Sequence, residues 1–189
     1  MFAMRIDEGL ELRLLEQRHA RALYDLTTAN RAHLRPYLPW VDKLESVRGT
    51  EAFIRSGLEQ FARGDGFQAG IYHRGALAGM CGLHYIRPDT RRTEIGYWLA
   101  EAAQGQGIVT RVCAGLCAYA FEELGLHRVE IRCHPGNARS RAVPERLGFT
   151  EEGILRGVDK LASGWADWVV YGLLEDEWRA RNGAGAVLE

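Results

Sequence analysis

Residues 104–110 of this 189-residue chain read Gln-Gly-Gln-Gly-Ile-Val-Thr, and the chemistry they offer lies in the backbone. Gly105 and Gly107 can take angles closed to other residues and let a ligand approach the main chain. Ile108, Val109 and Thr110 then open a stretch with apolar residues at helical spacing. Its first N–H groups have no internal partner and carry the positive end of the helix dipole. Phosphate is the natural occupant of such a place. Two familiar phosphate loops do not match. A P-loop requires Gly-Lys-Ser/Thr, and no lysine stands here. A Rossmann turn requires a third glycine where this chain has Thr110. A glycine turn without a ligand fits the bare pattern equally well.

The elements around that turn decide what it can hold. Residues 93–100 have the β-branched and aromatic content of a strand. Residues 109–124 have helical periodicity, so the turn links a strand to a helix. Upstream, residues 10–15 alternate as a first strand, and residues 16–30 form an amphipathic helix with Ala20, Leu23, Tyr24 and Leu26 near one face. The segment 30–40 is broken by Pro36 and Pro39. It holds His33, Tyr37 and Trp40, which either cap the core or line a pocket. A second helix is predicted over 50–63 with Thr50 as its cap. Residues 67–73, 76–86 and 93–100 follow as three strands with short links, an antiparallel meander. The strand at 127–133 returns through the long helix and therefore lies parallel to 93–100. Asn137 and Ser140 open a short helix that Pro144 should bend or shorten and that Gly148 should close. Residues 153–161 and 165–174 form a last hairpin. The Gly/Ala-rich residues 179–189 read as a frayed tail.

Composition narrows the function classes. The chain is 47% hydrophobic and 26% charged with a net charge of −1, which suits one globular domain over 1–189, with a core from about 10 to 178, and argues against a generally cationic nucleic-acid binder. Cys81, Cys113, Cys117 and Cys133 form no C-x-x-C pair, so the sequence suggests a reducing compartment and no zinc or other metal. The N-terminal residues lack the apolar run of a signal peptide. No run approaches the ~20 apolar residues of a membrane span. The expected location is the cytoplasm.

Taken together, the segments Glu94-Ile-Gly-Tyr-Trp-Leu99, Gln104-Gly-Gln-Gly107 and Asn137-x-x-Ser140-x-x-Val143-x-Glu145-x-Leu147-Gly148-Phe149-x-x-Glu152-Gly153 resemble the GNAT superfamily of acetyl-CoA-dependent N-acetyltransferases. The segment Leu34-x-x-Tyr37-Leu38-Pro39-Trp40 and the ending Val169-Val170-Tyr171 resemble its ribosomal-protein N-terminal acetyltransferase branch, of RimJ/RimL type. The resemblance implies an α+β fold, with a mostly antiparallel mixed sheet of about seven strands, a splayed parallel central pair and flanking helices. It implies that Gln104, Gly105, Gln106, Gly107, Ile108, Val109 and Thr110 bind the pyrophosphate of coenzyme A, and that Trp98, Leu99 and Asn137 meet the pantetheine arm. The Leu99 N–H is then the expected oxyanion donor. Valine at 109 departs from the glycine or alanine of the wider superfamily but keeps its N–H.

The resemblance also defines a gap. The tyrosine that many of these enzymes use to protonate the leaving thiolate would fall at position 144, where this chain has Pro144. In the ribosomal-protein branch Ser140 takes the acid role, unless it only satisfies its own helix turn. Asp159 is the branch's expected base and Glu94 the other candidate. His84, His127 and His134 have no assigned place. His33, Tyr37 and Trp40 are expected on the acceptor side. The expected reaction is direct acetyl transfer in a ternary complex, with no acyl-cysteine, to a protein N-terminus such as that of a ribosomal protein. A small amine, or a coenzyme-A-binding module without catalysis, is the alternative, and a homodimer is a possible assembly.

Overall fold

The computed structural model describes residues 3–183. In chain order the elements are β1 (Ala3–Asp7), β2 (Leu10–Leu14), α1 (Ala20–Ala29), α2 (Arg31–Leu34), α3 (Val47–Ala62), β3 (Phe67–His73), β4 (Ala76–Arg87) and β5 (Arg92–Leu99). They continue as α4 (Ile108–Ala118), β6 (Arg128–Cys133), α5 (Ala138–Leu147), β7 (Thr150–Leu161), β8 (Gly164–Leu174) and α6 (Glu175–Gly183). The strands form one sheet in the order β1-β2-β3-β4-β5-β6-β8-β7. Among the described residues, only β5 and β6 pair in parallel. This is the expected mixed, mostly antiparallel architecture. The eighth strand is β1, a short strand with no fully buried residue that hairpins onto β2 and carries little hydrophobic signal.

The pleat explains the layers. On β2, Leu10, Leu12 and Leu14 alternate inward and join Phe67, Ala69 and Ile71 of β3. On the central strands neighbouring residues serve opposite faces. Met80 and Trp98 pack with Leu23 of α1 and Ile54 of α3, whereas Cys81, Ile95 and Leu99 pack with α4. Helix α4 buries Ile108, Val112, Cys113, Leu116 and Cys117, a single stripe at helical spacing. Each such side chain contributes on the order of 1.5–3 kcal/mol by leaving water. The last turns after α4 widen into a π-helix at Tyr119–Glu123, so the predicted helix over 109–124 is α-helical only in its first part.

Three local expectations change. Helix α3 starts at Val47 with Ser46 in the capping position. Thr50 lies inside it, buried, with a hydroxyl that has no hydrogen-bond partner, so it is not the cap. Pro144 does not break α5, which runs through it to Leu147. Helix α6 continues to Gly183, into the stretch read as a tail, and residues 184–189 lie outside the described residues. Among the described residues, no helix is long and apolar enough to cross a membrane, and no group of three or more His, Cys, Asp or Glu is arranged to hold a metal ion.

Candidate active site

The parallel pairing of β5 with β6 covers only Arg92–Arg128, Thr93–Val129 and Glu94–Glu130. Beyond Glu94, β5 pairs with β4 alone, and β6 pairs with β8 alone. The two central strands therefore diverge and leave an unpaired backbone edge on each. The Ala100 N–H donates to Ala78 O on the β4 side at 2.8 Å. Strand alternation then turns the Leu99 N–H to the opposite edge, toward the opening.

A groove of ≈ 1560 Å³ fills this divergence. At one end lies the glycine turn. Gly105 and Gly107 have φ of +76° and +68°, and a Cβ placed on either would meet no atom within 4 Å. Gly107 is the residue before α4, whose first regular backbone bond runs from Arg111 N–H to Gly107 O at 3.1 Å. The amides of Ile108, Val109 and Thr110 are thus left without helical partners. Gln104 is tied to two elements: its Nε2 is 2.8 Å from His33 Nε2, and its Oε1 accepts from Arg139.

In mid-groove, Asn137 caps α5 by accepting the Ser140 N–H at 3.2 Å. The Ser140 hydroxyl donates to the Tyr97 phenol at 3.2 Å and lies 3.2 Å from Cys133 Sγ. The phenol donates to the Ser140 carbonyl at 2.9 Å. Burial and the neighbouring Cys133 push the Tyr97 phenol well above its ordinary pKa, and burial likewise raises the Cys133 thiol. Tyr97 and Cys133 both line the groove, and neither was assigned a role from the sequence.

The far end carries the ionisable groups. Asp159 Oδ2 is 3.2 Å from His134 Nε2, and its Oδ1 accepts the Lys160 N–H at 2.7 Å. A register shift in β7 between Leu155 and Asp159 lets this residue turn toward the groove from an otherwise exposed strand. The His134 ring stacks on Tyr37, with centroids 5.9 Å apart, and the Tyr37 hydroxyl donates to Gly136 O at 3.0 Å. Glu94 lies 3.4 Å from both His84 Nδ1 and Arg132 Nε. A Cβ on Gly96 would fall 1.9 Å from His84 Nε2, so the glycine makes room for that ring.

Of the residues singled out in the sequence, His33, Tyr37, Trp40, Glu94, Trp98, Leu99, Gln104, Gly105, Gly107, Ile108, Val109, Thr110, Asn137, Ser140 and Asp159 all line this groove. Gln106 does not; it points to solvent from the turn. His84, His134, Phe53 and Trp168 line it as well and were not foreseen.

The family described as the acetyltransferase (GNAT) domain matches residues 9–150. The Bacillus subtilis (strain 168) protein YdaF is 40% identical over 183 residues, covering 96% of this chain and 100% of that protein. The ribosomal-protein-serine acetyltransferase of Escherichia coli (strain K12) is 30% identical over 173 residues, covering 92% and 97%. Among solved structures, RimL, a ribosomal L7/L12 α-N-protein acetyltransferase in complex with coenzyme A disulfide-bonded to a cysteine, superimposes with a TM-score of 0.89 at 28% identity, covering 93% of this chain and 99% of that one.

Proposed function

This chain belongs to the GNAT acetyltransferase family as an acetyl-CoA-dependent N-acetyltransferase, and from that premise we propose that its acceptor is a protein N-terminal α-amino group. The observation that carries the choice of acceptor is the mouth of the groove. Its rim is formed by the exposed side chains of Trp40 and Phe53, which suit a chain entering from solvent. The relatives named for ribosomal-protein acetylation support the same reading, with a ribosomal protein as the favoured acceptor and the cytoplasm as the place.

The glycine turn fits a pyrophosphate. Its two glycines have positive φ and open Cβ positions, and three helix N-terminal amides face the same end. Acetyl-CoA supplies an acyl thioester whose carbonyl carbon is open to attack by an amine. Leu99 is read as the donor for the negative charge that builds on that carbonyl oxygen, supported by the direction of its N–H. Asn137 and Trp98 are read as contacts to the pantetheine arm, and Ser140 as the hydroxyl that meets the leaving sulfur. Asp159 is preferred over Glu94 as the proton acceptor. Two carboxylate oxygens held by His134 and Lys160 leave Asp159 fixed but 27% exposed, whereas Glu94 is 12% exposed and engaged by Arg132. Residues 1–189 are read as one acetyltransferase domain, supported by the single continuous sheet. The assembly is read as a homodimer, supported by the exposed apolar residues of the β7–β8 hairpin.

Release of free thiol, measured over a panel of N-terminal peptides, polyamines, amino acids and amine drugs, tests the acceptor. Peptides should turn over with kcat/KM at least about tenfold above every small amine, about 1.4 kcal/mol of transition-state preference. Turnover confined to small amines overturns the assignment.

A further inference from the structure

We propose that Tyr97 is the positioning residue for Ser140, and that Pro144 is what makes this possible. The inference rests on the reading of Ser140 as the hydroxyl that meets the leaving sulfur.

In a regular helix the carbonyl of residue 140 accepts the N–H of residue 144. Pro144 has no N–H, so the Ser140 carbonyl loses that donor although α5 continues past it. The Ser140 carbonyl is part-buried, where a missing donor is costly, and the vacancy is filled from another element. The Tyr97 phenol, on β5 across the groove, donates to the Ser140 carbonyl at 2.9 Å. The same phenol oxygen accepts the Ser140 hydroxyl at 3.2 Å. One phenol thus grips Ser140 at two atoms. The grip joins the strand that carries the Leu99 N–H to the helix that carries the serine.

The arrangement gives Pro144 a purpose. It stands where the resemblance predicts an acidic tyrosine, and it cannot donate a proton. Its effect is indirect: by leaving the Ser140 carbonyl open it recruits a phenol from β5 to the same neighbourhood. Burial keeps that phenol protonated far above neutral pH, so it remains a donor throughout the working range. Cys133 Sγ completes the surroundings of the hydroxyl at 3.2 Å. The serine oxygen is therefore held between Tyr97 and Cys133. Its single proton rests on the bond to the phenol and turns to the leaving sulfur as the thiolate forms, while the phenol stays bonded to the Ser140 carbonyl.

Three single variants and two doubles test this in the same thiol-release assay, with acetyl-CoA affinity followed by calorimetry and folding by thermal melting. Tyr97→Phe keeps the ring and removes the grip. Its kcat should fall about tenfold, the effect of one productive hydrogen bond, with acetyl-CoA affinity unchanged. Pro144→Ala restores a helical N–H that competes for the Ser140 carbonyl. Alanine is the better helix former, so folding is not at risk. Its kcat should fall severalfold, and it should cause no further loss in a Tyr97→Phe background. Ser140→Ala separates the two readings. A fall in its kcat with no further loss on adding Tyr97→Phe supports the positioning role. Unchanged turnover in Ser140→Ala defeats the acid reading of Ser140 itself. If Ser140→Ala is impaired but Tyr97→Phe is as active as the parent, or if Tyr97→Phe costs as much without Ser140 as with it, the positioning inference is overturned. Unchanged turnover in Pro144→Ala overturns the role given to Pro144.

Discussion

At Gly107 the backbone sits at φ +68° with open space where a side chain would project, and the helix amides begin one residue later. A tryptophan there fills the anion cradle. Its left-handed conformation costs about 1–2 kcal/mol, which a domain of this size tolerates. Gly107→Trp should therefore fold and fail to bind acetyl-CoA, measured by calorimetry; retained affinity removes the pyrophosphate assignment. Asp159 poses a different question, because a carboxylate near an amine can take a proton or only hold an ammonium. Protein α-amino groups titrate near 7.7–8.0, so the acceptor is increasingly protonated as pH falls. If Asp159 is the proton acceptor, Asp159→Asn should reduce kcat/KM most at the acid end of a pH–rate profile. A uniform loss across pH makes it a binding residue. The stack of His134 on Tyr37 adds a consequence for the acceptor loop: the aromatic residue expected to meet substrate also holds the histidine behind Asp159.

At the level of elements, the divergence of β5 and β6 needs an anchor at its closed end, and charged side chains provide it. Glu130 of β6 is 4% exposed and accepts hydrogen bonds from Arg128 at 3.0 Å and Arg132 at 2.9 Å. Arg128 also grips Glu152 of β7, and Arg132 reaches Glu94 of β5. Burial alone would raise the Glu130 carboxyl, but the Arg132 and Arg128 hydrogen bonds overcome it and hold the pKa below its ordinary value. Glu152 is likewise held low by Arg128. The sign follows from linkage. A carboxyl with a depressed folded-state pKa contributes stability that is fully present above its unfolded value, 4.5 here, and is lost as pH falls through the lower folded value. Thermal stability should therefore decline on acidification below about pH 4.5. Glu130→Gln should cost about 1.5–3 kcal/mol near neutral pH, because it removes two charge-assisted hydrogen bonds while Arg128 keeps Glu152 and Arg132 keeps Glu94, and it should flatten that acid decline. A chemical denaturation series from pH 3 to 7 measures both; an unchanged slope in the variant shows that other carboxylates govern acid stability.

For the molecule as a whole, the β7–β8 hairpin is the outlying feature. Nearly all of β7 faces solvent, yet Ile154, Leu155 and Val158 are apolar, and Trp165 at the hairpin turn is 74% exposed. Apolar side chains gathered on an outer strand are a usual sign of an interface. The homodimer reading predicts that Trp165→Glu moves the chain from dimer to monomer in sedimentation velocity without unfolding it; a parent chain that sediments as a monomer ends that reading. The same hairpin shows where sequence reading stops. Hydrophobic alternation, glycine turns and helix periodicity depend on residues close in the chain, so the meander from β3 to β5, the turn at 104–110, the helix behind it and the parallel return of β6 were all legible from residues alone, whereas the pairing of β2 with β3 was not. So was the family, because Glu94–Leu99 and Asn137–Phe149 are dense local patterns. The contacts that set the chemistry join distant segments: Tyr97 with Ser140, His134 with Asp159, Tyr37 with Gly136. Local periodicity records which face a side chain takes and not what lies across the groove. Pro144 is the clearest case. Its place in the sequence announced only a missing acid and a bend in a helix. The tertiary structure shows an unbroken helix whose open carbonyl is met by a phenol from another strand, because a proline removes a donor and the fold supplies one from elsewhere.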